Sequence, residues 1–220
     1  MNIDDLKAKV SAIQWWHTID LGNGVITPGG NPTPERIKFL GLPGDLSGVT
    51  VLDIGAWDGA YSFEAERRGA NRVLATDSFC WGGAGCGTKA GFDLAKTALH
   101  SKVEDKEIDV MDLTPEEIGV FDLVLFLGVF YHLRHPLLAL ERLFSVTGKQ
   151  AIVETHVDLL DCPRSAMVFY PGAELEGDAT NWWGPNRAAV ESMLKTVGFA
   201  KVELISHDTA HSRMVFHAYR

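Results

Sequence analysis

Short apolar segments alternate with amphipathic segments over most of the 220-residue chain, and this alternation constrains the fold more than any other feature. Strands are predicted at 49–54, 72–77, 103–109, 121–127 and 150–155, and helices at 61–68, 88–99, 137–146 and 186–197. Two last alternating runs, 201–206 and 214–219, are joined by a polar turn and predict an antiparallel hairpin. Strands that alternate with helices form a parallel sheet covered on both faces. We therefore expect an α/β fold with a doubly wound, Rossmann-like, mostly parallel seven-stranded sheet that ends in this hairpin.

The first 34 residues have a different character. Apolar residues at helical spacing predict a helix within 1–13. Trp15, Trp16 and His17 follow, and then a loop rich in Gly, Pro and Asn reaches Pro34, where the next helix begins. We expect residues 1–34 to form a helix and a segment that caps an active site, and residues 35–220 to form one catalytic domain.

Composition and charge exclude several classes of protein. Hydrophobic residues make up 46% of the chain and charged residues 22%, as in ordinary folded proteins. No apolar run approaches the ~20 residues that cross a bilayer, and the acidic N-terminus is not a signal peptide. We expect a cytoplasmic protein with no membrane partner. The net charge of −9 disfavours a general binder of polyanions, although Arg67, Arg68, Arg72 and Lys89 form a candidate local patch for RNA.

The first predicted strand runs directly into a glycine turn, Asp53-Ile54-Gly55-Ala56-Trp57-Asp58-Gly59, where small residues let a ligand approach the backbone. The acidic Asp53 suits a cationic ligand better than a pyrophosphate. Asp77 ends the second strand, where a carboxylate binds ribose hydroxyls, and Asp109 follows the third, within reach of an adenine amine. The G-x-G-x-x-G motif of NAD sites is absent, so the pattern indicates S-adenosylmethionine. The candidate cofactor-binding residues are Asp53, Gly55, Ala56, Trp57, Gly59, Asp77, Ser78, Asp109, Val110, Leu127 and Gly128.

Polar side chains also follow the fourth and fifth predicted strands. Tyr131 and His132 follow the fourth strand, and Glu154 and His156 follow or end the fifth. In this fold, acceptor substrates bind outside these strand ends, and a histidine with an ordinary pKa of ~6.5 is the natural general base. We therefore predict His132 or His156 as the base, with Tyr131 and Glu154 beside them. The alternative is that each histidine only caps a helix or bonds within the core.

A metal site is not predicted. His132 and His135 are three residues apart but lack a third ligand at suitable spacing, and His207 and His211 flank the turn of the last hairpin. Cys80, Cys86 and Cys162 are an odd number without C-x-x-C spacing, which indicates neither a zinc site nor a disulfide framework.

Aromatic pairs in two loops are candidate acceptor-binding residues. Paired tryptophans beside Gly and Pro are less easily explained by core packing alone, and we expect them to form lid walls that exclude water. The glycine-rich segment 79–87 fits either a flap over an adenine or a flexible connector. The candidate substrate-binding residues are Trp15, Trp16, His17, Trp182, Trp183 and Arg213.

Four strings of the sequence carry a resemblance to a known family: VLDIGAWDG, FDLVLFLGVFYHLRHPLLALERL, VETHVD and NWWGPN. Over residues 35–220 the chain resembles class I S-adenosylmethionine-dependent methyltransferases, with Trp57 in place of the usual middle glycine of the first motif. Within that class it looks most like the bacterial tRNA wobble-uridine carboxymethyltransferase group. The resemblance implies a carboxylated cofactor held by Tyr131 and Arg213, but the group's N-terminal lysine has no counterpart, and neither has its longer N-terminal helical region.

These observations predict a methyltransferase that uses S-adenosylmethionine to methylate a small molecule, with oxygen slightly favoured over nitrogen as the accepting atom. The first alternative is a tRNA wobble-uridine (carboxy)methyltransferase that uses carboxy-S-adenosylmethionine and has tRNA as its partner. The second is a non-catalytic cofactor-binding subunit, which only Trp57 supports. The exposed edge of the last hairpin is a candidate surface for a homodimer.

Overall fold

The computed structural model describes residues 2–82 and 87–220. The chain divides into two compact units, Met1–Asp109 and Val110–Arg220. The four residues 83–86 fall within the predicted flap 79–87, so this prediction, with Cys86, lies partly outside the described residues.

The first unit contains three parallel strands in the order β3-β2-β1 and four helices. The strands are β1 (Thr50–Ile54), β2 (Arg72–Asp77) and β3 (Glu104–Glu107), and the helices are α1 (Ile3–Ser11), α2 (Thr33–Leu40), α3 (Ala60–Arg67) and α4 (Ala90–Ala98). Leu52, Ile54 and Phe92 are fully buried. Strand β1 is buried on both faces, as is usual in a covered parallel sheet, and the glycine turn follows directly at its end.

Local sequence explains where these helices begin and end. The Asn2 side chain accepts a hydrogen bond from the Asp5 main-chain N–H and caps α1. Helix α2 has Pro34 in its first turn and ends at Gly41, whose φ of 64° is left-handed. The predicted helix starts and stops in this unit therefore lie within a few residues of the observed ones.

The second unit contains four strands in the order β4-β5-β9-β8, a separate two-stranded sheet and three helices. The strands are β4 (Phe121–Leu127), β5 (Thr147–His156), β6 (Met167–Phe169), β7 (Trp183–Pro185), β8 (Lys201–Asp208) and β9 (Arg213–Tyr219). The helices are α5 (Pro115–Ile118), α6 (Pro136–Val146) and α7 (Arg187–Thr196). Strand β5 runs parallel to β4, and β9 is antiparallel to both of its neighbours. In this register His156 lies opposite Arg213, which places both side chains at one end of the sheet.

The predicted fold class is confirmed: the structure is a mostly parallel, seven-stranded α/β fold that ends in an antiparallel hairpin. The prediction that Trp182 and Trp183 both lie in a loop is wrong for Trp183. This residue begins β7, which pairs with β6 across the segment expected to be an irregular insertion. Strands of three residues are too short to show an alternating pattern, so no periodic signal predicts them.

Within residues 2–82 and 87–220, no helix combines the length and the apolar character that crossing a bilayer demands.

Candidate functional site

The turn after β1 is built around three residues with positive φ. Gly55 and Gly59 have φ of 75° and 84°, and Trp57 has φ of 48°, a conformation that costs a residue other than glycine about 1 kcal/mol. A Cβ on Gly59 would lie 2.6 Å from the Phe92 ring, so this glycine is also required by packing. Glycine would adopt the backbone conformation of Trp57 without strain, which explains the glycine that is usual at this position of the first methyltransferase motif.

Asp77 holds this turn to the loop that follows β2. Its carboxylate accepts hydrogen bonds from the main-chain N–H groups of Trp57, at 3.0 Å, and of Cys80, at 2.9 Å. Burial raises the pKa of Asp77, and the backbone donors oppose that rise. The main-chain N–H groups of Ser78 and Trp81 also act as hydrogen-bond donors that lower the pKa of Asp77, so the backbone on both sides holds this carboxylate. The expected contact of Asp77 with ribose hydroxyls stays a prediction.

The remaining predicted acids of the first unit differ in exposure. Asp53 is buried, accepts a 2.5 Å hydrogen bond from the Ser62 hydroxyl of α3, and has its pKa raised to about 6 by burial. Asp109 is exposed, and the Ser78 hydroxyl donates to it at 3.3 Å. Asp53 is thus part of the protein interior, whereas Ser78 and Asp109 are accessible to a ligand.

The N-terminal aromatic residues have two different environments. Trp15 is only 6% exposed, and its indole N–H donates to the Val10 carbonyl, so it packs in the interior of the first unit. Trp16 is 44% exposed and stacks on Trp57 with ring centroids 5.3 Å apart and planes 4° apart. The structure therefore gives Trp16 the exposed face expected of a lid wall and gives Trp15 a packing position.

Asp58 and Trp81 are two residues of this region that the sequence did not single out. The buried Asp58 carboxylate accepts the main-chain N–H groups of Trp16 and His17 at 2.8 and 2.9 Å, so it fixes the N-terminal segment to the glycine turn. The Trp81 indole N–H donates to the Trp57 carbonyl at 2.7 Å and braces the same turn from the other side. The sequence signal that could have indicated this role of Asp58 is its position as an acidic residue within the glycine turn.

In the second unit, Tyr131 and Glu154 converge at Gly128. A Cβ on Gly128 would lie 3.5 Å from the Tyr131 hydroxyl and 3.7 Å from a Glu154 carboxylate oxygen. The Arg213 guanidinium lies 4.4 Å from the Tyr131 ring centroid, and its Nη1 is 3.8 Å from Glu154 Oε1. Burial raises the pKa of Tyr131 to about 12, against the opposing effect of Arg213, so Tyr131 is a neutral phenol at pH 7. Glu154 and Arg213 form an ion pair beside it.

Leu127 ends β4 in register with Glu154, and the Gly128 N–H donates to the Glu154 carbonyl at 3.1 Å. Val110 lies at the start of the second unit, in a single 3₁₀ turn.

His156 belongs to a hydrogen-bonded row of three side chains. Its Nε2 lies 3.2 Å from the Tyr170 hydroxyl, which in turn donates to Asp158 Oδ2 at 2.6 Å. Burial and the Arg213 charge lower the pKa of His156, and Asp158 opposes them. A Cβ on Gly184 would lie 2.2 Å from the Tyr170 hydroxyl, so only glycine leaves space for this arrangement. Tyr170, Asp158 and Gly184 were not found from the sequence, because the segment that joins them has no periodic pattern.

His132 forms its hydrogen bonds with Thr180 rather than with Tyr170. Its Nδ1 lies 3.1 Å from the Thr180 carbonyl and 3.0 Å from the Thr180 hydroxyl, which donates to Asp178 at 2.7 Å. Burial lowers the pKa of His132. The His132 and His156 rings have centroids 4.2 and 6.4 Å from that of Tyr131. The structure thus brings the predicted Tyr131, His132 and His156 together and keeps both histidines neutral at pH 7.

The aromatic residues of the second unit form a stack beside Tyr131. The main-chain N–H of Trp182 donates to the Tyr131 carbonyl at 2.8 Å, and the Arg134 guanidinium lies 4.7 Å from the Trp182 ring centroid. Phe169, which is exposed, stacks on Trp182 at 6.2 Å and 18°. Trp183 contacts Phe169 and donates its indole N–H to the Leu133 carbonyl. Trp182 is therefore a half-buried ring packed against Phe169 and Arg134, while Trp183 holds the loop after β4.

Within residues 2–82 and 87–220, no cluster of three or more His, Cys, Asp or Glu side chains is arranged to hold a metal ion.

A family model described as a methyltransferase domain matches residues 32–204, which is more than half of the chain. The chain belongs to this methyltransferase family. The resemblance noted in the sequence is therefore confirmed at the level of the family.

Curated relatives of this methyltransferase include the tRNA U34 carboxymethyltransferase of Colwellia psychrerythraea (strain 34H / ATCC BAA-681). It is 28% identical over 169 residues, which are 74% of this chain and 48% of that protein. The protein of the same name from Pseudomonas putida (strain W619) is 30% identical over 168 residues, which are 73% of this chain and 48% of that protein. The methyltransferase spans about half the length of these relatives.

Solved structures with a similar fold include the N-terminal domain of EvdMO1 in the presence of SAH and D-fucose. It has a TM-score of 0.70 and 20% identity, and the match covers 100% of this chain and 97% of that one. Magnesium protoporphyrin IX methyltransferase (ChlM) from Synechocystis PCC 6803, with bound SAM, has a TM-score of 0.59 and 16% identity over 85% of this chain and 77% of that one. The predicted class, an S-adenosylmethionine-dependent methyltransferase, is confirmed at the level of family and fold.

Proposed function

We propose that this methyltransferase transfers a methyl group from S-adenosylmethionine to a hydroxyl group of a small-molecule acceptor. The observation that carries the proposal is the placement of two neutral, largely buried histidines, His132 and His156, beside Tyr131 in the second unit. A hydroxyl acceptor must lose a proton when it is methylated, and a neutral imidazole is suited to accept it at pH 7.

The residues of the first unit fit the methyl donor, which supplies an electrophilic methyl group on a sulfonium sulfur. Asp77, at the end of β2, is the acceptor that we propose for ribose hydroxyls, and the exposed Asp109, beside Ser78, suits an adenine amine. The buried Asp53 contributes negative potential near the turn rather than a direct contact, because its carboxylate bonds to Ser62. The backbone of Gly55, Ala56, Trp57 and Gly59 completes the set proposed in the first unit. The roles of Val110, Leu127 and Gly128 in cofactor binding stay predictions.

For the acceptor we propose a flat, uncharged molecule. Trp16 is 44% exposed and presents an aromatic face, and aromatic faces bind planar groups by stacking. His17 contributes through its main chain, which positions Trp16 on Asp58. Arg213 is paired with Glu154, so the charge of this guanidinium is compensated within the protein.

The test is a titration followed by a transfer assay. Calorimetry with S-adenosylmethionine and S-adenosylhomocysteine measures donor and product binding, and labelled methyl transfer is then screened against phenols, sugars, carboxylic acids and amines. We expect both compounds to bind and a hydroxyl compound to be methylated. His132→Gln and His156→Gln should leave donor affinity nearly unchanged, and at least one should lower turnover by about 10²- to 10⁴-fold. Unchanged turnover in both variants would refute the assignment of a histidine base.

A second candidate function is (carboxy)methylation of tRNA wobble uridine, and one observation favours it. The Arg213 guanidinium lies over the Tyr131 ring, and these are the two residues that the resemblance assigns to a cofactor carboxylate. Glu154 weighs against it, because this carboxylate already faces the Arg213 guanidinium and would repel a second one. Calorimetry with carboxy-S-adenosylmethionine, and retention on tRNA at low and high salt, distinguish the two functions. Tighter binding of the carboxylated compound would favour the tRNA function.

A further inference from the structure

The hydroxyl group of Tyr170 determines which nitrogen of His156 carries a proton. A phenol has one proton to donate, and the short 2.6 Å contact with the Asp158 carboxylate shows where it goes. Burial and Asp158 both raise the pKa of Tyr170, so the phenol keeps this proton. The Tyr170 oxygen is left as an acceptor for His156, which lies 3.2 Å away through Nε2. His156 Nε2 must therefore be the donor.

A neutral imidazole carries one proton, so the protonation of Nε2 leaves a lone pair on Nδ1. His156 Nδ1 is buried, and it has no hydrogen-bond partner among the residues that the structure describes. A buried, unsatisfied acceptor costs about 1–3 kcal/mol, so such an atom in a folded protein needs an explanation, and a catalytic role is one. The side chain thus offers a basic nitrogen whose orientation is fixed from the opposite side of the ring.

We propose that His156 is the general base of the methyl transfer, acting through Nδ1, and that Tyr170 and Asp158 are positioning residues that fix its tautomer. This inference rests on the proposed function and names the base within it. The three side chains follow the general logic of a base oriented by a third group, with a phenol interposed between imidazole and carboxylate. Asp158 stabilises the imidazolium across the Tyr170 hydroxyl.

The step balances without any further reactant. The acceptor oxygen forms a bond to the methyl carbon while the bond between that carbon and the sulfonium sulfur breaks. The electron pair of the broken bond stays on sulfur, which becomes a neutral thioether. The hydroxyl proton moves to His156 Nδ1, and the resulting imidazolium later releases it to solvent.

His132 is the competing base, and its contacts give it the opposite tautomer. Its Nδ1 faces the Thr180 carbonyl, which only accepts, so Nδ1 carries the proton. His132 therefore links the loop after β4 to the Thr180 segment. The two histidines are distinguishable in solution because they hold their protons on different ring nitrogens.

The experiment is long-range ¹H–¹⁵N correlation NMR of the full chain with labelled histidine, recorded across pH, because this reports the tautomer and pKa of each imidazole without an acceptor. We expect His156 as the Nε2–H tautomer and His132 as the Nδ1–H tautomer. The groups that face His156 are Arg213, Asp158, Glu176, Tyr131 and Tyr170. Asp158→Asn removes the neighbouring charge that favours the imidazolium, so the pKa of His156 should fall further. Tyr170→Phe should leave the His156 tautomer mixed.

The matched control is Tyr219→Phe, since the Tyr219 hydroxyl lies 3.5 Å from His217 Nδ1 in the same unit. It should leave the His156 spectrum unchanged. Thermal melting of each variant checks that it is folded. Once the screen yields an acceptor, Tyr170→Phe and Asp158→Asn should each lower kcat by about tenfold, a fraction of the full effect of a base, with little change in KM.

Two results separate the failure of this inference from the failure of the proposed function. If S-adenosylhomocysteine binds but His156 carries its proton on Nδ1, or if Tyr170→Phe and Tyr219→Phe have the same effect on His156, the assignment of the base is overturned while methyl transfer stands. If S-adenosylhomocysteine does not bind, the proposed function fails, whatever the tautomer.

Discussion

The acids that hold the glycine turn of the first unit and the histidine His156 of the second unit have different kinds of hydrogen-bond partner. In the first unit, Asp58 and Asp77 accept hydrogen bonds from main-chain N–H groups. In the second, His156 bonds to other side chains, through Tyr170 to Asp158. Main-chain donors are fixed by the fold itself, whereas side-chain partners change with single substitutions. The first arrangement therefore suits the donor site that we propose, and the second suits the proposed proton transfer.

Asp77→Ala tests this difference with the largest expected effect. The part-buried N–H group of Trp57 and the buried N–H group of Cys80 would lose their acceptor, at about 1–3 kcal/mol each. We expect a loss of roughly 2–4 kcal/mol in the free energy of unfolding, and at least a tenfold loss of affinity for S-adenosylhomocysteine. Denaturant titration and calorimetry measure the two effects. The control is Asp109→Ala, which should retain stability because Asp109 is exposed. Equal loss of stability in both variants would contradict the account of Asp77.

Gly184→Ala tests the packing of the second unit. The added Cβ would lie 2.2 Å from the Tyr170 hydroxyl and 2.9 Å from Asp158 Cβ, so Tyr170 must move. We expect a loss of about 1–3 kcal/mol in the free energy of unfolding, as for other overpacked sites, and the loss of the single His156 tautomer. Gly30→Ala is the control, because a Cβ there meets no atom within 4 Å. Equal melting temperatures for the two variants would contradict this packing.

Asp53→Asn tests whether the buried acid of the first unit destabilises the folded chain. Its pKa is about 6 in the folded state and ~3.9 in the unfolded chain, so the folded state binds more protons between these values. The free energy of unfolding therefore falls as pH rises from about 4 to about 6, because the buried Asp53 must then ionise, and this destabilisation is complete above about pH 6. We expect the variant to gain on the order of 2 kcal/mol at pH 7 and nothing at pH 3. Denaturant titrations at both pH values measure this, and an equal change at the two would contradict it.

Trp16→Ala has the smallest expected effect on folding. Trp16 is half-exposed and stacks on Trp57, and such a contact contributes about 0.5–1.5 kcal/mol. Trp15→Ala is the matched comparison, because that ring is buried and its loss should cost about 3–5 kcal/mol. Melting curves of the two variants measure the difference. A larger loss for Trp16→Ala would show that the exposed ring is part of the core.

The fold was predictable because its main elements are long enough to show a period. Strands β1, β2 and β4 were predicted to within one residue, since each is a continuous apolar run between polar turns. The same regularity placed Asp77 and His156 at strand ends, where α/β proteins bind their ligands.

The partners of these residues were not predictable in the same way. Asp58 bonds to main-chain groups about forty residues away, and Tyr170 lies beyond an irregular segment that contains two three-residue strands. Such contacts are set by tertiary packing and leave no local pattern. The requirement for glycine at position 184 is another example, because it depends on the nearby Tyr170 side chain and is visible only in the folded structure.

The most direct test of the proposed division of work is a calorimetric titration of S-adenosylhomocysteine into Asp77→Asn and His156→Gln, side by side with the unchanged protein. Asp77→Asn should lose at least tenfold in affinity, about 1.4 kcal/mol, because its amide replaces an acceptor of two backbone bonds and of the ribose. His156→Gln should bind within about twofold of the unchanged protein, a difference of less than 1 kcal/mol. Full affinity in Asp77→Asn, or a tenfold loss in His156→Gln, would contradict the assignment of product binding to Asp77 and of proton transfer to His156.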